Sequence, residues 1–150
     1  MFATADGWYR AFPMSKKSQA YKGLSLLLRR EGAPNTMIMD GAQEQVMGMS
    51  RRKCRESGIW LKQTEPYTPW SNAAEAAIRK LKMGVGRLMV GSKAPKRLWD
   101  NCLEQEAYIR SLTAHEIYQL DGQVPETIVG GETAYISPFA TFKWYKWVLF

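Results

Sequence analysis

Two acids in this chain stand where chemistry could use them. Asp40 follows the short apolar run Thr36–Met39 and precedes Gly41, while Glu75 opens a long run with helical periodicity. Functional groups in α/β sheets often lie at the carboxyl ends of strands. An acid at a strand end and an acid on the first turn of a helix can converge on one divalent cation. Mg²⁺ takes hard oxygen ligands in near-octahedral geometry. Two such ions can activate a water or a 3′-hydroxyl and stabilise the leaving oxygen in phosphodiester chemistry. Arg79 and Lys82, at i+4 and i+7 of Glu75, share its helical stripe and suit a phosphate backbone running past the site. Each residue also has a plain structural role open to it. Asp40 can start a turn or cap the next helix. Glu75, with Asn72 as N-cap, occupies the reciprocal position of a capping box and suits the helix dipole. Glu75 and Arg79 can also form an ordinary pair on a solvated face.

The elements that must position these acids are legible in the pattern. Met1–Thr4 and Trp8–Phe12 read as two strands of a hairpin joined at Asp6-Gly7, a dipeptide that favours tight turns. Ser18 is placed to cap a helix reaching about Arg30, with Tyr21, Leu24, Leu27 and Leu28 as its apolar stripe and Gly32 and Pro34 stopping it. Thr36–Met39 reads as a short buried strand, residues 42–57 as a helix ended by Gly58, and Ile59–Gln63 as a further strand. After the loop 65–71, Asn72 is placed to cap a long helix reaching about Val90, whose apolar face is Ile78, Leu81, Val85 and Leu88. Gly84 and Gly86 weaken it late and offer a place to kink or end. Pro95 suits the first turn of another helix reaching about Leu112. The tail from Thr133, with Phe139, Trp144 and Phe150, reads as strand or irregular packing. The order is that of an α/β or α+β fold with helices packed on a mixed sheet.

Bulk properties narrow the function classes. The chain has 150 residues, 45% of them apolar, and a net charge of +7; one domain spanning 1–150 fits that length. A basic surface attracts polyanions. Two separated cysteines, Cys54 and Cys102, and one histidine, His115, fall short of the four ligands of a structural zinc site and of a disulfide scaffold. Both cysteines read as small core residues. No apolar run approaches the ~18 residues of a membrane span, and no secretory signal is visible. Nucleus or cytoplasm is the expected compartment.

The segment Glu65-Pro-Tyr-Thr-Pro-Trp-Ser-Asn-Ala-Ala-Glu75, followed by Ala77-Ile-Arg-Lys-Leu-Lys82, resembles the last catalytic motif of integrases from copia-type retrotransposons. Gly32-Ala-Pro34 with Asp40-Gly41 resembles the second-aspartate motif of that family. Trp8–Pro13, Lys16–Ser18, Pro95–Trp99, Pro125, Gly130 and Phe142 extend the resemblance over nearly the whole chain. It implies a ribonuclease-H-like fold, a mixed sheet flanked by helices, with an Asp-Asp-Glu site binding Mg²⁺ or Mn²⁺. It also implies 3′-end processing and strand transfer of element DNA, and an oligomeric protein. By position Asp40 matches the second acid and Glu75 the third; the stretch between them is one residue shorter than the common retroviral spacing. The family's first acid lies on a strand before the hairpin that opens this sequence, so the expected core lacks its first strand. Asp6 belongs to the hairpin turn and Glu31 to a helix end, and neither replaces that acid.

Three functions remain open on the sequence: an integrase core whose first acid lies upstream in a longer protein, a catalytically dead remnant that still binds DNA, and a dimerisation module. Tyr67 and Trp70 join Arg79 and Lys82 as candidate DNA contacts, since exposed aromatics can stack on bases.

Overall fold

The structure is a computed structural model. It describes residues 1–39, 48–63, 73–116, 120–131, 133–141 and 143–146, with residues 73 and 74 described in the backbone only. The chain divides into two compact units, Met1–Ala11 with Ala73–Phe150, and Phe12–Asn72.

The first unit opens with the expected hairpin, shorter than its pattern: β1 (Phe2–Ala3) pairs antiparallel with β2 (Tyr9–Arg10). Gly7 takes φ +85°, the left-handed region that glycine occupies without steric cost. The Tyr9–Arg10 strand is held from outside by a helix side chain. Ser111 Oγ, fully buried, accepts the Tyr9 N–H at 2.8 Å and lies 2.9 Å from the Tyr9 carbonyl oxygen and 3.1 Å from that of Ala107. One hydroxyl thus serves the backbone groups of a strand edge that would otherwise be buried unpaired.

The long helix of this unit runs from Ala73 to Ser92; it is the third of the described α-helices in chain order, α3. It continues past Gly84 and Gly86 with no break. Its apolar face is rotated from the expected one. Ala77 and Leu81 are buried, whereas Ile78 is exposed. The reason is the helix packed against it, α4 (Trp99–Ser111). Small side chains at Ala77 and Ala107 meet Leu81, Tyr9 and Ala11 in one cluster. At Gly84 the Glu106 side chain lies where a Cβ would be, with Cδ 2.5 Å from that position. The glycine marks a close approach of two helices and not a helix end.

Pro95 precedes a 3₁₀ turn, Lys96–Leu98, that leads into α4. Two short helices follow that the pattern did not bring out: α5 (Pro125–Gly130), with proline in its first turn and Gly131 closing it at φ +74°, and α6 (Ser137–Thr141). The described part of the tail is therefore helix and turn and not strand. Arg10, β2's buried cation, reaches Glu126 on α5 through two bonds of 2.7 and 2.9 Å. Its guanidinium lies 4.4 Å from the Trp8 ring and 5.0 Å from the Tyr108 ring. Trp8 Nε1 donates to the same carboxylate at 3.0 Å. A buried charge is tolerable when it is paired in this way.

The second unit holds α1 (Ala20–Glu31), β3 (Thr36–Met39), α2 (Met49–Glu56) and β4 (Trp60–Gln63). Leu24, Leu27, Met37, Cys54 and Ile59 are buried here. Ser18 does not cap α1. It lies inside a 3₁₀ turn, Lys17–Gln19, and Gln19 is the N-cap without a side-chain hydrogen bond. Gly32 ends the helix at φ +89° as expected. Of the helix expected over 42–57, residues 42–47 lie outside the described residues, and Gly58 follows its end at φ +69°. β3 and β4 pair parallel, Thr36 opposite Trp60 and Met39 opposite Gln63, a pairing that needs a crossover between the strands. β3 is not the buried strand its composition suggested: Met37 is buried but Ile38 is 61% exposed. Among the described residues the strands form two two-stranded sheets, one antiparallel and one parallel. Helices flank both in an α/β arrangement of the ribonuclease-H-like kind.

Candidate nucleic-acid and metal site

Glu75 lies in the first turn of α3 and is exposed. Among the described residues it takes part in no ion pair, and neither does Arg79. The plain Glu75–Arg79 pair therefore does not form, and both charges face solvent. The buried line of α3 through Ala77 and Leu81 turns Glu75, Arg79 and Lys82 to the opposite side, where all three are exposed. The helix packing against α4 thus presents one acid and two cations on a single outer stripe.

That stripe belongs to a larger basic run. No acid occurs between Glu75 and Asp100. Arg79, Lys80, Lys82 and Arg87 on α3, then Lys93, Lys96 and Arg97 beyond its end, are all exposed. Arg79 to Arg87 span about 12 Å of helix axis at about 1.5 Å per residue, and Lys93, Lys96 and Arg97 carry the positive charge on beyond the helix end. Reading only the i+4 and i+7 positions of Glu75 missed Lys80, Arg87, Lys93, Lys96 and Arg97. The signal that finds them is the absence of acids over the whole segment.

Asp40, Tyr67, Trp70 and Asn72 lie outside the described residues. A hard carboxylate free of any cation suits a divalent ion in kind. In number the ligands fall short: the described residues contain no group of three His, Cys, Asp or Glu able to hold a metal. Cys54 and Cys102 are fully buried and unpaired, as expected of core residues, and burial pushes both thiols above their ordinary value. No described helix is long and apolar enough to cross a membrane.

The arrangement of elements matches a solved structure, the catalytic core domain of BIV integrase, with a TM-score of 0.58 over 80% of this chain and 74% of that one, at 19% identity. The fold is that of an integrase catalytic core. No protein-family model and no curated protein sequence matches the chain. The similarity is thus one of architecture.

Proposed function

We propose that this chain performs the DNA-handling part of retroelement integration, as the core of a copia-type integrase. Asp40 and Glu75 are the two acids that would hold Mg²⁺ or Mn²⁺, and Arg79 and Lys82 hold the phosphate backbone beside them. Tyr67 and Trp70, which precede Glu75 in sequence, are further DNA contacts. The observation that carries this reading is the outer stripe of α3. An unpaired carboxylate heads a helix whose other exposed charges, Arg79, Lys80, Lys82 and Arg87, are all cationic, in a fold matching an integrase core.

A bound divalent ion would supply charge neutralisation at the phosphate and activation of the attacking oxygen. The protein's own part is electrostatic. Cations along α3 lower the cost of bringing a polyanion against Glu75, and the helix N-terminus adds partial positive charge at the same end. Element ends and target DNA are the partners, further copies of the chain the natural assembly, and nucleus or cytoplasm the compartment.

A second reading, a DNA-binding remnant without catalysis, keeps the exposed cations of α3 and needs no metal. Metal titration separates the two. Mg²⁺ or Mn²⁺ added to the whole chain is expected to raise its melting temperature, an effect lost in Asp40→Asn and in Glu75→Gln. No metal effect on a folded chain leaves the remnant. Duplex binding tests the part common to both. Replacing Arg79 and Lys82 together by alanine is expected to reduce the slope of log K against log salt by about 1.8, two phosphates at about 0.9 each. An unchanged slope refutes a phosphate contact by this stripe.

A further inference from the structure

The parallel sheet of the second unit has one bare face. In a strand, alternate residues point to opposite sides, and the register pairs Thr36 with Trp60 and Ile38 with Lys62. These four residues therefore share a face, and all four are exposed. The opposite face carries Met37, which is buried, and Leu61, which is half-buried. Parallel strands are normally covered on both sides. Here Trp60 is 70% exposed and Ile38 61%.

We propose that this face is a stacking platform for an unpaired nucleotide of a single-stranded nucleic acid. The Trp60 ring takes the base, the Lys62 ammonium takes the phosphate, and Ile38 lies under the sugar. Three observations favour this occupant. The face carries a cation and no acid, in a chain of net charge +7, so its charge complements a polyanion. Trp60 and Lys62 stand about 6.6 Å apart along the strand, close enough for one nucleotide to reach both. The apolar area on offer also suits a base better than a protein. Two side chains of this size expose on the order of 300 Å², whereas a stable protein interface takes about 800 Å² from each partner. Aromatic side chains standing on a sheet face stack bases in this manner in other folds. The platform is also presented on a held strand, since the Trp60 N–H donates to the Asn35 carbonyl at 2.9 Å.

The platform lies on β4 and does not depend on Asp40, Glu75 or the α3 stripe. It adds a preference that a phosphate-tracking stripe lacks, because a base inside a duplex has both flat faces stacked on its neighbours and an unpaired base can offer one to Trp60.

The test uses the whole chain, a fluorescein-labelled 15-nucleotide oligothymidylate, and a blunt 15-base-pair duplex with the same label. Fluorescence anisotropy is read across a salt series. Trp60→Ala is expected to weaken single-strand binding about 5- to 100-fold, the range for one lost base stack, and to change duplex binding less than twofold. Trp60→Phe restores most of the affinity. Lys62→Ala lowers the single-strand salt slope by about 0.7. Trp60 is exposed, so its variants should melt with the parent, which circular dichroism verifies.

Undetectable oligothymidylate binding by the parent chain overturns the proposal. So does wild-type single-strand affinity in Trp60→Ala, or an equal loss on duplex and single strand. A change in oligomeric mass by light scattering in Trp60→Ala, with single-strand affinity intact, reassigns the face to contact between copies of the chain. The function proposed above fails separately, through an unchanged duplex salt slope in the Arg79 and Lys82 variant.

Discussion

Gly84→Ala and Gly86→Ala, two positions apart on α3, should shift stability in opposite directions. In a helix interior, alanine is better than glycine by about 1 kcal/mol, and Gly86 is free to realise that gain. A Cβ built on Gly86 meets nothing within 4 Å. A Cβ on Gly84 meets Glu106, whose Cδ and Cγ would lie 2.5 and 3.0 Å away. Glu106 is not free to swing aside. It is buried and its Oε1 is bound to Arg110 Nε at 2.7 Å. Displacing it forfeits that bond and forces extra volume into a close helix contact, a change that typically costs about 1–3 kcal/mol. With the propensity gain subtracted and the loosened ion pair added, the net is about 1–2 kcal/mol destabilising. For a chain of this size each kcal/mol moves the melting temperature about 2–4 °C. Gly84→Ala should therefore lower it by about 2–8 °C and Gly86→Ala raise it by about 2–4 °C, both by circular dichroism. Adding Glu106→Ala to Gly84→Ala should return the propensity gain, giving a coupling of about 1 kcal/mol or more in a double-mutant cycle. Gly84→Ala melting at or above the parent temperature would refute the claim that Glu106 occupies the space a Cβ at residue 84 needs.

Other perturbations follow from the same packing. Ser111→Ala leaves the Tyr9 N–H buried without its acceptor and should cost about 1–3 kcal/mol in urea unfolding; a loss under 0.5 kcal/mol would mean that another group takes the bond. Arg10→Ala strips Glu126 and the Trp8 and Tyr108 rings of their cation, and should cost about 2–4 kcal/mol. Arg10→Met should cost less, because the stem volume stays. Alkaline pH should also destabilise the fold. Burial raises the Tyr9 phenol, with Arg110 pulling the other way, and raises the Cys54 and Cys102 thiols, the charge of Glu106 adding to the effect at Cys102. Groups raised in the folded state hold their protons more tightly there than when unfolded. Their contribution is full below the ordinary values and fades as pH climbs past them. A melting temperature that stays flat as pH climbs past the ordinary thiol and phenol values would contradict the burial of these groups.

The sequence by itself determined what depends on near neighbours. Helices α1 and α3 follow from apolar residues spaced three and four apart, α4 from the proline that precedes it, and the hairpin from Asp6-Gly7, because helical stripes and tight turns are local geometry. The basic run after Glu75 is likewise a property of sequence, since it needs only that no acid intervene. Trp60 and Lys62 were in principle legible as face-sharing residues, as the strand period is two, but nothing in the sequence shows that their face is left bare.

Tertiary structure decided whatever depends on what lies across from a residue. α3 buries Ala77 and turns Ile78 out because α4 comes so close that small side chains pack better than large ones. Gly84, a helix breaker by propensity, is required by Glu106. Ser18 is an ordinary cap by type, yet a 3₁₀ turn displaces the helix start beyond it. Arg10 and Glu126 are unremarkable apart in sequence and form one buried pair only when β2 meets α5. Propensity and period describe a residue's own element. Burial and charge pairing are set by the partner element, and its position along the chain is not encoded in any local pattern.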